Sequence, residues 1–229
     1  MSQTILAIGA HYDDCVFGIP GLLLKAQRRH HRVVVLSVIG DYRNWRPVGA
    51  RSAALVDGTI RLAAEYGVEM RFLGFAEMKV GTDEAAARAV AAAVADVRPD
   101  IAFTLWPHDQ HPDHERTAAL SRIALGFADR LIDADGLRPP ARTYQFDNGP
   151  RHTIGFEPDT YVDVTDEWPT AIEWLGRLMA LRRNEPYRPG TLDGAQRAKD
   201  ALARYRGQAC GVRYAEAVRR MMPYADDIF

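Results

Sequence analysis

The alternation of short, continuous apolar runs with longer amphipathic stretches limits the folds open to this chain more than any other feature. The runs cover residues 5–9, 33–39, 70–73 and 101–106. They are partly β-branched and show no polar alternation, so they read as strands buried on both faces. Between them, residues 19–29, 53–66, 84–97 and 115–128 carry helical patterning. The third of these stretches has Thr82 or Asp83 available as N-cap and stops at Arg98-Pro99. Strand and helix alternating at these lengths imply right-handed crossovers and a mostly parallel sheet with helices on both faces. The expected architecture is α/β, a single Rossmann-like domain. From about Pro139 the pattern weakens. Residues 143–146 and 160–164 read as further strands, 168–182 and 192–205 as helices, and 183–190 as a loop. One domain over residues 1–229 is therefore expected, with a core over 1–138 and a C-terminal extension over 139–229.

Composition narrows the partners. The 29 basic and 30 acidic residues leave a formal net charge of −1, without the basic surplus that nucleic-acid binding usually needs. No apolar run approaches the roughly 18 residues of a membrane helix, and no basic leader precedes the first strand. Cys15 and Cys210 are too few for a disulfide framework. These observations point to a cytoplasmic protein that binds neither nucleic acid nor membrane.

Two clusters carry chemistry. Ala10-His11-Tyr12-Asp13-Asp14 directly follows the first strand, and Pro107-His108-Asp109-Gln110-His111-Pro112-Asp113-His114 directly follows the fourth. With strand order 3-2-1-4-5 these strands are neighbours, and the clusters face each other at the switch point where such sheets bind ligands. Four of the seven histidines fall in these two segments. Imidazole and carboxylate together suit a catalytic divalent ion, which takes three protein ligands and keeps a position for water. His11 and Asp14 can reach one ion from a turn that enters a helix, and a histidine of the second cluster completes the set. Asp13 is then left beside the water, and another histidine to steady charge on a carbonyl. The plainer alternative makes Asp13 or Asp14 a helix cap. His30 and His31 suit a helix C-terminus, His108 and His152 read as peripheral, and Cys15 as a small buried residue.

These residues resemble the PIG-L/LmbE-like family of zinc-dependent N-acetylglucosaminyl deacetylases. Its signature, Ala-His-Pro-Asp-Asp-Glu and His-x-Asp-His, stands here as Ala10-His11-Tyr12-Asp13-Asp14-Cys15 and His111-Pro112-Asp113-His114. The likeness continues through Val162-Asp163-Val164-Thr165-Asp166, Arg206-Gly207 and Gly211-Val212-Arg213-Tyr214-Ala215-Glu216. It implies His11, Asp14 and His114 as ligands of one Zn2+ per chain, a site type that also accepts other divalent transition metals. It further implies Asp13 as general base and His111 as oxyanion stabiliser that protonates the leaving amine. Asp113 would orient His111, and Asp109 would line the site. Tyr12 and Cys15 depart from the signature without removing a ligand. The family's Arg-x-x-Glu pair is also missing: Arg51 is nearby, but Ala54 stands three residues later. The loop over residues 41–49, with Arg43, Trp45 and Arg46, offers replacements, so Asp109, Trp45 and Arg51 are the expected substrate contacts. The implied reaction is removal of an acetyl or similar small acyl group from the amide nitrogen of a small amino-sugar substrate, by a homo-oligomeric enzyme. The rival readings are a two-metal phosphoesterase and a catalytically silent sugar- or metal-binding protein on the same fold.

Overall fold

The first apolar run forms β1 (Thr4–Gly9), in which every residue from Ile5 onward is buried, as the middle of a sheet requires. In the computed structural model, which describes residues 2–223 and Ala225, β1 lies inside a seven-stranded sheet. The other strands are β2 (Arg32–Asp41), β3 (Glu69–Ala76), β4 (Ile101–Leu105), β5 (Arg142–Phe146), β6 (Thr160–Asp163) and β7 (Ala215–Arg220). Their order is β3-β2-β1-β4-β5-β7-β6. The first five strands pair in parallel, and β7 runs antiparallel to both β5 and β6. The strand order reverses between β1 and β4, which opens the crevice where the two motifs were expected to meet.

Among the described residues, seven α-helices surround the sheet: α1 (Asp14–Gly18), α2 (Pro20–Arg28), α3 (Ser52–Glu65), α4 (Glu84–Val97), α5 (Pro112–Leu131), α6 (Trp168–Arg183) and α7 (Gly194–Cys210). Helix α4 packs on α5, whereas α6 packs on α2, α3 and α7, so the two groups cover opposite faces. The Asp83 carboxylate accepts the Ala86 N–H at the start of α4, and Arg98 turns left-handed at its end. No helix among the described residues is long and apolar enough to cross a membrane.

Three departures from the sequence reading shape the site. The expected helix over 19–29 is two helices, because Pro20 has no N–H and drives Ile19 out of helical geometry (φ −140°, ψ 39°). The break is closed by distant residues. Lys199 of α7 donates to the Gly18 carbonyl, and Glu216 of β7 accepts from Gly21 N–H and Leu22 N–H at 3.1 and 2.7 Å. Lys199 and Glu216 are both buried and lie 3.1 Å apart. Second, α5 begins at Pro112 instead of residue 115, with proline at its first position, so His114 belongs to its first turn. Third, β7 was not anticipated. With β5 and β6 it continues the same sheet.

Candidate active site

The first motif is held by its own turn. One oxygen of Asp14, Oδ2, accepts the N–H groups of Ala10 and His11 at 2.7 and 2.8 Å, which leaves Oδ1 to face outward. A Cβ on Gly9 would come within 2.8 Å of the Asp14 Cβ, so this close approach needs glycine at the end of β1. Asp13 sits at the N-cap position of α1, yet its side chain makes no capping hydrogen bond. In the second motif, His111 is the N-cap of α5, and its Nδ1 accepts the Asp113 N–H at 3.3 Å.

The two motifs converge. His11 Nδ1 lies 3.2 Å from His114 Nε2, His114 Nε2 lies 3.3 Å from Asp14 Oδ1, and His11 Nδ1 lies 3.6 Å from Asp14 Oδ2. A tetrahedral ion with bonds of roughly 2.0–2.1 Å holds its ligand atoms about 3.3 Å apart, so this donor set fits a divalent cation. His111 comes equally near, with His11, His111 and His114 offering nitrogens within 4.8 Å of one another. Its Nδ1 is taken by a backbone N–H, however, so its Nε2 carries the proton and presents a donor, not a lone pair.

Charge follows the same division. Burial disfavours a charged His11, but hydrogen bonds to Asp113 and Asp14 outweigh it and lift its pKa to about 9. Burial likewise opposes charge on His114, and the nearby charges of Asp14 and Asp109 carry it to about 10. His111 goes the other way: burial and the charges of His11 and His114 hold it near 4, neutral at pH 7. Asp13 rises to about 6 through burial and the adjacent Asp14 charge. Asp14 itself stays well below the usual carboxylate range, because His114 and His11 overcome its burial.

Two carboxylates differ from the expected roles. Asp113 lies closest to His11: its Oδ2 is 3.5 Å from His11 Nε2 and accepts the Met78 N–H at 2.7 Å. The first turn of α5 points it inward, so the side chain it orients is His11. Asp109 does not line the cavity. It is buried behind His114, with its Oδ1 3.1 Å from Nδ1, and accepts the His111 N–H at 2.8 Å. A carboxylate behind a histidine fixes which nitrogen faces the ion. Asp109, His114 and His152 also form a second grouping of possible ligands. That grouping uses the opposite nitrogen of His114, which is the geometry of orientation.

The motifs form one end of a cavity of about 560 Å³. Trp45 lines it, its ring centre 6.4 Å from that of Tyr12 and 6.2 Å from that of Tyr42. Arg51 does not reach it. Its Nη2 donates to the carbonyls of Pro47 and Arg182 at 2.8 and 3.1 Å, which ties the Trp45 loop to the end of α6 and leaves that nitrogen no substrate to meet. His108 is exposed and packs edge-on to Trp106.

Sequence reasoning missed several lining residues, three of which stand close to the motifs or to Trp45. Arg182 enters from the last turn of α6. His152, read as peripheral, lies in the wall with its ring centre 5.5 Å from that of His114. Asn148 donates from Nδ2 to Asp14 Oδ1 at 2.9 Å. Asn148 could have been found, because it follows β5 as the motifs follow β1 and β4. Its turn is held by the buried Arg206–Asp147 pair at 2.6 Å and by Gly149 at φ 79°.

Residues 6–125, just over half of the chain, match the family model described as PIG-L: GlcNAc-PI de-N-acetylase. Among solved structures, N,N'-diacetylchitobiose deacetylase from Pyrococcus horikoshii is 20% identical, with a TM-score of 0.76 over 96% of this chain and 84% of that one. GalB, the 4-carboxy-2-hydroxymuconate hydratase from Pseudomonas putida KT2440, is 16% identical with a TM-score of 0.81 over 99% of each chain. The A40926 pseudoaglycone deacetylase Dbv21 is 20% identical with a TM-score of 0.69 over 99% of this chain and 100% of that one. At these identities the structural likeness establishes a common fold.

Proposed function

Because the chain belongs to the PIG-L family, we propose that it removes an acetyl or similar small acyl group from the amide nitrogen of an N-acetylglucosamine-type substrate. The observation that carries this reading is the convergence of His11, Asp14 and His114 to within 3.2–3.6 Å at one end of the cavity, with Asp13 beside them. These three residues would hold one divalent ion, zinc first among them and another divalent transition metal as the alternative. When bound, the ion polarises the amide carbonyl and makes water acidic enough to attack near neutral pH.

The chain's own groups do the rest. Asp13, with its pKa near 6, is mostly ionised at pH 7 and takes the proton of the attacking water. His111 was expected to protonate the leaving amine, but a neutral His111 keeps its one N–H for the oxyanion, so Asp13 passes its proton to the departing amine nitrogen. His111 is neutral and donates from Nε2 to the carbonyl oxygen as that oxygen gains charge. Asp113 and Asp109 orient His11 and His114, and Asn148 holds Asp14 Oδ1 in place. A phosphoesterase with two ions is disfavoured, since the second grouping of donors shares His114 with the first.

The test is acetate release from N-acetylglucosamine glycosides by metal-stripped protein reloaded with zinc, cobalt or manganese. Release that depends on the added ion supports the reading. A reloaded protein that binds one ion and frees no acetate from any of them overturns it in favour of a silent binding protein.

A further inference from the structure

Among the described residues, Arg182 is a cation without a counterion. Its Nε is buried and has no hydrogen-bond partner, and no carboxylate pairs with its guanidinium among the described residues. Leaving a guanidinium N–H dry and unpaired is costly, so such a group usually has an occupant when the protein works. Its position is also fixed. The guanidinium carbon lies 6.0 Å from the centre of the Trp45 ring, and Trp45 in turn stands beside Tyr12, the neighbour of Asp13. Arg51 donates to the Pro47 and Arg182 carbonyls together, so the loop that carries Trp45 and the helix end that carries Arg182 are braced as a unit. Arg151 lines the same cavity, also with no carboxylate partner among the described residues.

From this arrangement we infer that the cavity beyond Trp45 is an anion subsite, in which Arg182 binds a carboxylate or phosphate on the part of the substrate away from the scissile amide. The guanidinium fork matches either anion in a planar, two-point geometry, and Trp45 supplies an apolar face for the ring or chain that joins the anion to the amide. The acidic groups of the cavity, Asp13, Asp14 and Glu77, stand with the metal-binding motifs or at the end of β3, so a substrate with one anionic end can lie in only one direction. The inference rests on the proposed N-deacylation for the identity of the reacting end, and it supplies the specificity that the missing Arg-x-x-Glu pair leaves without residues.

Two measurements decide it. The first compares kcat/KM of zinc-loaded enzyme for N-acetylglucosamine 1-phosphate, for an N-acetylglucosaminide whose aglycone bears a carboxylate, and for the neutral methyl glycoside. At least one anionic substrate should be preferred by roughly 10- to 100-fold, the worth of a charge-assisted hydrogen bond, and the preferred arm names the anion. Arg182→Gln should bring that ratio to about 1, and Arg182→Lys, which keeps charge but loses the fork, should fall between. The second is calorimetric titration of glucosamine 1-phosphate, a glucosaminide bearing the carboxylate, and methyl glucosaminide into wild type and Arg182→Gln. It needs no turnover, so it still decides the subsite if no acyl substrate is cleaved and the proposed reaction itself fails. Equal handling of anionic and neutral compounds by wild type, or a preference that survives in Arg182→Gln, overturns the inference.

Discussion

The candidate donors His11, Asp14 and His114 come from two motifs of a few residues each, whereas the rest of the lining draws Trp45, Asn148, His152 and Arg182 from three separate segments: the loop after β2, the loop between β5 and β6, and the end of α6. The motifs are aimed by local backbone: a turn that Asp14 itself closes, and a helix start that His111 caps. Much of that remaining lining depends on long-range docking. Buried ionic groups of α7 and β7 reach back to the break between α1 and α2 and to the turn that bears Asn148. The candidate donors and most of the remaining wall are therefore held by different parts of the chain, and Asn148 links the two.

The strongest way to break this division is to loosen the docking without touching the motifs. Glu216→Gln leaves Lys199 buried without its counter-charge, and Arg206→Met does the same to Asp147. Each should cost about 3–5 kcal/mol in denaturant unfolding, although neither residue touches the donor atoms. Unchanged stability would mean that the C-terminal region docks by apolar packing alone. Within the reacting end, His111→Ala should keep the ion and slow turnover by about 10²- to 10³-fold, the loss of one oxyanion donor. Loss of the ion would instead make His111 a ligand.

A finer test compares the two sources of support. Asp109→Asn from the motif side and Asn148→Ala from the C-terminal side should each weaken metal binding about 10- to 100-fold by competitive chelation. If only Asp109→Asn has an effect, the C-terminal region serves recognition alone. The smallest signal is in protons. In the metal-free chain His11 and His114 have pKa values raised to about 9 and 10, so their stabilisation is complete below 6.5 and fades as pH climbs through 9–10. An ion must displace those protons. Zinc titration at pH 7.5 should release at least one proton per chain, read from the dependence of the heat on buffer ionisation enthalpy, and affinity should rise with pH. Binding without proton release would place the ion elsewhere.

The same contrast explains what could be read from sequence. Strands β1 to β4, the extent and cap of α4, and the meeting of the two motifs all follow from local patterns. Strand β7 did not, because Ala215–Arg220 mixes Glu216, Arg219 and Arg220 with alanine and becomes a strand only by pairing between β5 and β6. Pro20 was visible as a reason for a helix break, but the groups that close the break lie some 180 residues away and left no local sign. Arg51 and Arg182 show the limit most directly. Both are arginines near helix ends, and only the fold reveals that one braces the backbone while the other enters the cavity. The side on which Asp113 falls is likewise decided by the helix turn and not by its place in the motif.

The central claim is that adjacent aspartates do different work, Asp14 on the ion and Asp13 on the proton. Metal content and turnover of Asp13→Asn, measured beside Asp14→Ala, test it most directly. Asp14→Ala should lose the ion. Asp13→Asn should keep the ion and its substrate affinity while turnover falls by about 10²- to 10⁴-fold, the usual contribution of a general base. An Asp13→Asn protein that loses its metal, or that turns over at the wild-type rate, would contradict the account.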